Sequence, residues 1–146
     1  MNDIDLKTMK LYDYNLQTSD KVRYSDTDRQ GHVNNAVFAC YFETGRVELL
    51  YNPDDLLAAQ NCSFVIVSFS MNLLSEIHWP GTVEIGTSIV KIGNSSITIN
   101  QGLYQNDRLV ANAESVIVHT SSITKRSKPL SDHARSVLSN LLQKSK

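Results

Sequence analysis

The chain has 146 residues, 41% of them hydrophobic and 20% charged. That length fits one domain burying roughly two thirds of the surface its unfolded chain exposes, and the composition excludes a disordered or collagen-like chain. Fourteen basic against fifteen acidic residues leave a formal charge of −1, so no field of one sign marks a nucleic-acid or membrane binder.

Residues 1 to about 18 are polar and weakly patterned and read as an N-terminal arm. They lack the apolar core of a secretory signal, and no later run approaches the ~18 apolar residues that cross a bilayer. Cys40 and Cys62 sit in apolar segments without disulfide or metal spacing. A cytoplasmic protein is expected. From Asp20, "DKVRYSD" alternates as a first strand and leads into "SDTDRQGHVNN".

"NAVFACYFETGRVELLY", from Asn35, has no proline and delays its first charge to Glu43, which predicts a long helix whose first two turns are buried on every side. Asn34 or Asn35 can cap it, and Pro53 ends it by disfavouring helical geometry at Asn52. Gly45 costs about 1 kcal/mol relative to alanine inside a helix, which points to close approach by another backbone. Glu43 and Arg46 read as a buried pair supporting the fold.

Four strands follow. In "SFVIVSFSMNLL", Val65, Val67, Phe69, Met71 and Leu73 alternate with Ser68, Ser70 and Asn72 and predict one core face and one polar face. "TVEIGTSIVKI", "SSITINQGLYQ" and "RLVANAESVIVHTS" are joined by turns at Gly93-Asn94 and "QND", giving an antiparallel meander. From Pro129 to about Gln143, Ala134, Val137, Leu138, Leu141 and Leu142 share a helical stripe, with Ser131 as its cap. The expectation is one α+β domain over residues 1–146. A helix apolar on every side also needs more cover than one sheet face supplies, either a sharply curled sheet or a second subunit.

"SDTDRQGHVNN" allows several readings. Asp26, Asp28, Gln30 and Gly31 fit the first positions of an EF-hand loop, but the twelfth, a bidentate glutamate in that motif, is Val37. His32, His78, His119 and His133 show no zinc spacing, so no metal is expected. Asp28 is then either a structural carboxylate interacting with the helix dipole or a base beside helix N–H groups able to hold an oxyanion, with Gly31 permitting close approach. His32 is a secondary candidate. Among "KRSK", Arg126 and Lys128 belong to the best local cluster for an anion, and equally read as a solvated loop.

"YSDTDRQGHVNNAVFACYFETGR", Tyr24 to Arg46, resembles the signature of hot-dog-fold thioesterases of the 4-hydroxybenzoyl-CoA thioesterase group. The resemblance implies a hot-dog fold in which a long central helix is wrapped by a curled antiparallel β-sheet, with a short C-terminal helix. It implies a homodimer or homotetramer with sites between subunits. The family's catalytic aspartate falls on Asp28, as nucleophile or general base, and its oxyanion donor on the Asn35 backbone N–H. The implied activity is hydrolysis of an acyl-CoA thioester. The resemblance implies no cofactor beyond coenzyme A as part of the substrate, whose phosphates Arg126 and Lys128 would meet. The "VNNA…Y" helix start is also similar to that of acyl-ACP thioesterases, so an acyl-carrier-protein thioester is an alternative substrate. A non-catalytic acyl-CoA-binding module and a dehydratase of the same fold are the other readings.

Overall fold

In the computed structural model, residues 9–143 are described. Strand β1 (Leu16–Lys21) precedes a 3-10 turn at Tyr24–Asp26 and helix α1 (Asn35–Leu50). Strands β2 (Cys62–Leu73), β3 (Thr82–Ile92), β4 (Ser96–Gln105) and β5 (Arg108–Ser121) follow, then helix α2 (Asp132–Ser139). All pairings are antiparallel and order the sheet β1-β3-β4-β5-β2. Register shifts at Val67 in β2, Val90 in β3 and Val110 in β5 are β-bulges, which bend strands and curl the sheet around α1. The expected α+β hot-dog architecture is therefore present.

Local chemistry sets the turns. Asn106 and Asp107 both have positive φ, 53° and 63°, as a two-residue hairpin turn of this hand requires, and Asn and Asp tolerate that region. At the other hairpin, Gly93 N–H donates to the Ser96 carbonyl at 2.8 Å.

The core sits between α1 and the concave sheet face. Phe38, Tyr41, Phe42, Gly45 and Leu49 recur at helical spacing and are buried. The aromatic three pack with Val83, Ile85, Leu103 and Val110. Each large apolar side chain buried this way contributes roughly 1.5–3 kcal/mol. A second cluster joins Leu49 and Leu50 to Ile89, Ile99, Ile117 and the α2 residues Ala134 and Leu138. Among the described residues no helix is long and apolar enough to cross a membrane.

Several sequence expectations change. The predicted arm is packed from Met9 onward: Tyr14 is 2% exposed and lies across the convex sheet face, where a Cβ at Gly86 would come within 2.4 Å of its ring. Asn15 N–H also donates to Ser88 Oγ at 3.1 Å, and β1 starts at Leu16 rather than Asp20. The earlier part of that arm, residues 1–8, lies outside the described residues.

β2 does not divide into core and polar faces, because it is an edge strand whose bulge at Val67 breaks the alternation. Val65 is 45% and Val67 59% exposed. Nor is α1 buried on every side in the single chain, since Ala36, Cys40, Glu43 and Val47 form an exposed stripe. Helix α2 stops at Ser139, where the chain turns to pair with β3. Leu141 O accepts Ile89 N–H at 3.1 Å, and Gln143 N–H donates back to Ile89 O at 2.7 Å, so Leu141 and Leu142 leave the predicted helical stripe.

Candidate active site

The start of α1 is built by its cap. Asn34 Oδ1 accepts Ala36 N–H at 3.0 Å, the Asn34 carbonyl accepts Val37 N–H at 2.9 Å, and Asn34 N–H donates to Asp26 O at 2.9 Å. Asn35 N–H, the first in the helix, has no partner among the described residues and lies at the exposed, positive end of the helix dipole.

The preceding loop closes on itself through a bridge between Thr27 and Val33. Within it, Asp28 N–H donates to His32 O at 2.8 Å and Gly31 N–H to Asp28 O at 3.2 Å. Gly31 has φ +82°, a conformation side chains disfavour, and nothing lies within 4 Å of where its Cβ would stand. Asp28 is exposed; its Oδ1 accepts Gln30 N–H at 2.8 Å, and its Oδ2 has no partner among the described residues.

Asp26 has the opposite surroundings. It is 8% exposed, and its Oδ2 accepts both the Tyr41 hydroxyl at 2.8 Å and Arg23 N–H at 2.9 Å. Burial, reinforced by the bond to Asp26, pushes the Tyr41 pKa up, so the hydroxyl is a lasting donor. One carboxylate of the pair is thus tied into the core while the other is presented to solvent.

Between α1 and β2 runs a groove of about 260 Å³ lined by Ala39, Cys40, Glu43, Arg46, Ile66 and Phe69. The expected Glu43–Arg46 ion pair is not among those of the described residues. Arg46 instead lies 5.4 Å over the Phe69 ring and donates to Gln101 Oε1 at 3.3 Å, while Glu43 faces solvent. Burial lowers the Arg46 pKa below its ordinary value, partly countered by the charge of Glu43.

Arg126 and Lys128 are exposed after β5, their backbones fixed by Ser121 N–H to Arg126 O at 2.9 Å and Lys128 N–H to His119 O at 2.8 Å. The end of β5 pairs with the start of β2, where Tyr51 at the C-terminus of α1 bonds to the Phe64 backbone. Asp28 precedes the other end of α1, a 16-residue helix spanning about 24 Å. A single chain does not bring these cations to Asp28.

Strand pairing assembles a cluster that spacing along the chain cannot reveal. His32 and His78 are bridge partners with rings 5.3 Å apart, and Glu76 Oε2 lies 3.3 Å from His32 Nε2 and 3.7 Å from His78 Nε2. Sequence reasoning set His78 aside for want of ligand spacing and did not consider Glu76, because only the fold makes them neighbours of the loop.

Residues 22–138 match the family model described as the thioesterase-like superfamily. Over 101 residues, 67% of this chain and 75% of the relative, the sequence is 25% identical to the acyl-CoA thioester hydrolase YbgC of Escherichia coli O6:H1. A solved structure described as a predicted thioesterase from Bacillus stearothermophilus superposes with a TM-score of 0.80 at 31% identity, covering 89% of this chain and 98% of that one. A thioesterase from Thermus thermophilus, solved in complex with coenzyme A and Zn, superposes with a TM-score of 0.74 at 25% identity, covering 86% and 98% of the two chains.

Proposed function

This chain belongs to the thioesterase-like superfamily and is a thioesterase of the hot-dog fold, and we propose that it hydrolyses acyl-CoA to the free acid and coenzyme A with Asp28 acting on the thioester. The observation that carries this reading is the cap arrangement. Asn34 satisfies the next helix N–H groups and leaves that of Asn35 open, directly after a loop presenting Asp28 Oδ2.

In the mechanism, Asn35 N–H donates to the thioester carbonyl oxygen and stabilises the negative charge that develops there. Asp28 serves one of two roles. As nucleophile it attacks the carbonyl carbon, coenzyme A leaves as thiolate, and water hydrolyses the resulting mixed anhydride. As general base it takes a proton from the water that attacks. Gly31, with no side chain, keeps the approach open, and His32 across the loop is a secondary candidate for proton transfer.

A second copy completes the site in this reading. β2 is a 12-residue edge strand with apolar side chains exposed, the kind of edge that pairs with another chain. Antiparallel pairing of β2 with its own copy about a two-fold axis would cover the α1 stripe and turn the groove into an enclosed acyl seat. It would also exchange strand ends, carrying Arg126 and Lys128 of the second copy toward Asp28, where coenzyme A phosphates would lie. The resulting assembly is a homodimer or a pair of such dimers.

The test is thiol release by purified protein from short, long and aromatic acyl-CoA and from acyl-carrier-protein thioesters. Turnover of acyl-CoA supports the reading, and turnover confined to carrier-protein thioesters moves the substrate to that class. Tight acyl-CoA binding without release from any thioester makes the chain a binding module.

A further inference from the structure

His32, Glu76 and His78 each offer one donor atom, and these atoms lie within 4.8 Å of one another. Four ligands at 2.0–2.1 Å around a tetrahedral zinc ion stand about 3.3 Å apart. The Glu76 Oε2 contacts, 3.3 Å to His32 and 3.7 Å to His78, are already near that spacing, and rotation of exposed side chains closes the rest.

The backbones carrying these donors are fixed. The His32–His78 bridge continues into Val33 N–H donating to Ile77 O at 2.9 Å. Buried Gln105 holds His78 from both sides, accepting its N–H and donating to its carbonyl, each at 2.9 Å. Arg108 donates to the carbonyl of Glu76 at 3.2 Å and so leaves the carboxylate to the two imidazoles, its only partners among the described residues.

The geometry points to a binding site for Zn²⁺ or a similar transition-metal ion on His32, Glu76 and His78, clipping the loop that carries Asp28 to the β2–β3 connection. Two imidazoles and one carboxylate suit such ions, whereas Ca²⁺ and Mg²⁺ favour all-oxygen sets. The carboxylate offsets part of the ion's charge, and the fourth tetrahedral position takes water. Because the ligands come from segments distant in the chain, they converge only in the folded state, and the ion stabilises that state. The proposal concerns binding and stands independently of thioester turnover.

Untagged, chelator-stripped full-length protein titrated with ZnCl₂ in a calorimeter provides the test. One ion per chain is expected, with affinity lowered at least about tenfold in His78→Ala and in Glu76→Gln, the scale on which even outer partners of a metal act. His78 meets Gln105 only through its backbone, so His78→Ala keeps that anchor; circular dichroism checks its fold. Zn²⁺ should raise the unfolding midpoint of the parent protein but not of His78→Ala, and Co²⁺ should give the parent a tetrahedral visible spectrum. Absence of stoichiometric binding, or binding unchanged in both variants, overturns the site. So does binding that His133→Ala abolishes, since that places the ion at the His133–Asp55 pair instead.

Discussion

Asp26 and Asp28 stand on either side of Thr27, one buried against Tyr41 and the other open at the loop surface. Their spacing in front of a glycine and a helix cap was visible in the sequence, because caps and turns follow from local chemistry. The Tyr41 bond was not, since it depends on which face α1 turns to the loop. Removing that donor leaves a buried charged acceptor short of one partner, so Tyr41→Phe is expected to lower stability by about 1.5–3 kcal/mol in urea unfolding. Tyr41, Tyr14 and Tyr104 share one pH consequence: burial raises all three, Tyr104 to about 12. A group whose folded pKa is raised contributes its stability fully below the unfolded value and loses it as pH rises through the folded one. Unfolding free energy should therefore hold steady near neutrality as far as these groups act, then fall above about pH 10, the unfolded tyrosine value, and fall less steeply in Tyr41→Phe. An unchanged alkaline profile in that variant would contradict the assignment.

At the scale of elements, α1 and the hairpin turns were legible, because helix caps and positive-φ turns are written in adjacent residues. Gly45 shows how far that legibility reaches. The sequence marks it as a close approach by another backbone, whereas the neighbours are side chains: a Cβ there would lie 2.8 Å from Gln101 Nε2 and 2.9 Å from both Ile85 Cγ2 and Thr87 Oγ1. The Gln101 amide cannot swing aside freely, since it donates to Phe42 O at 2.9 Å and Thr87 Oγ1 at 3.1 Å. Overpacking of about 1–3 kcal/mol then outweighs the roughly 1 kcal/mol alanine gains in a helix. Gly45→Ala should unfold at lower urea concentration than the parent; a higher midpoint would refute the close approach. The missed elements share a cause, which is distance along the chain. Tyr14 reaches Gly86 and Gly102 on other strands, Leu141–Gln143 pair with Ile89, and the exposure of β2 follows from its place at the sheet edge.

For the whole molecule, the apolar β2 edge and the open α1 stripe carry the proposed association with a second copy. Val67→Lys puts a charge on an exposed edge residue without disturbing the core, so sedimentation should show loss of the dimer, with turnover falling as the shared site is lost. A variant that stays dimeric and fully active would move the interface elsewhere. Arg126 and Lys128, noticed in the sequence, would gain a place near the chemistry only through the proposed partner, which no single chain can reveal. The central claim is that Asp28 performs the thioester chemistry. Its most direct test is thiol release from an acyl-CoA substrate by Asp28→Asn beside the parent protein, with dissociation constants for a non-hydrolysable analogue measured on both. The account predicts a kcat at least about a hundredfold lower, the scale of losing a general base, with analogue binding retained; an undiminished kcat in Asp28→Asn would contradict it.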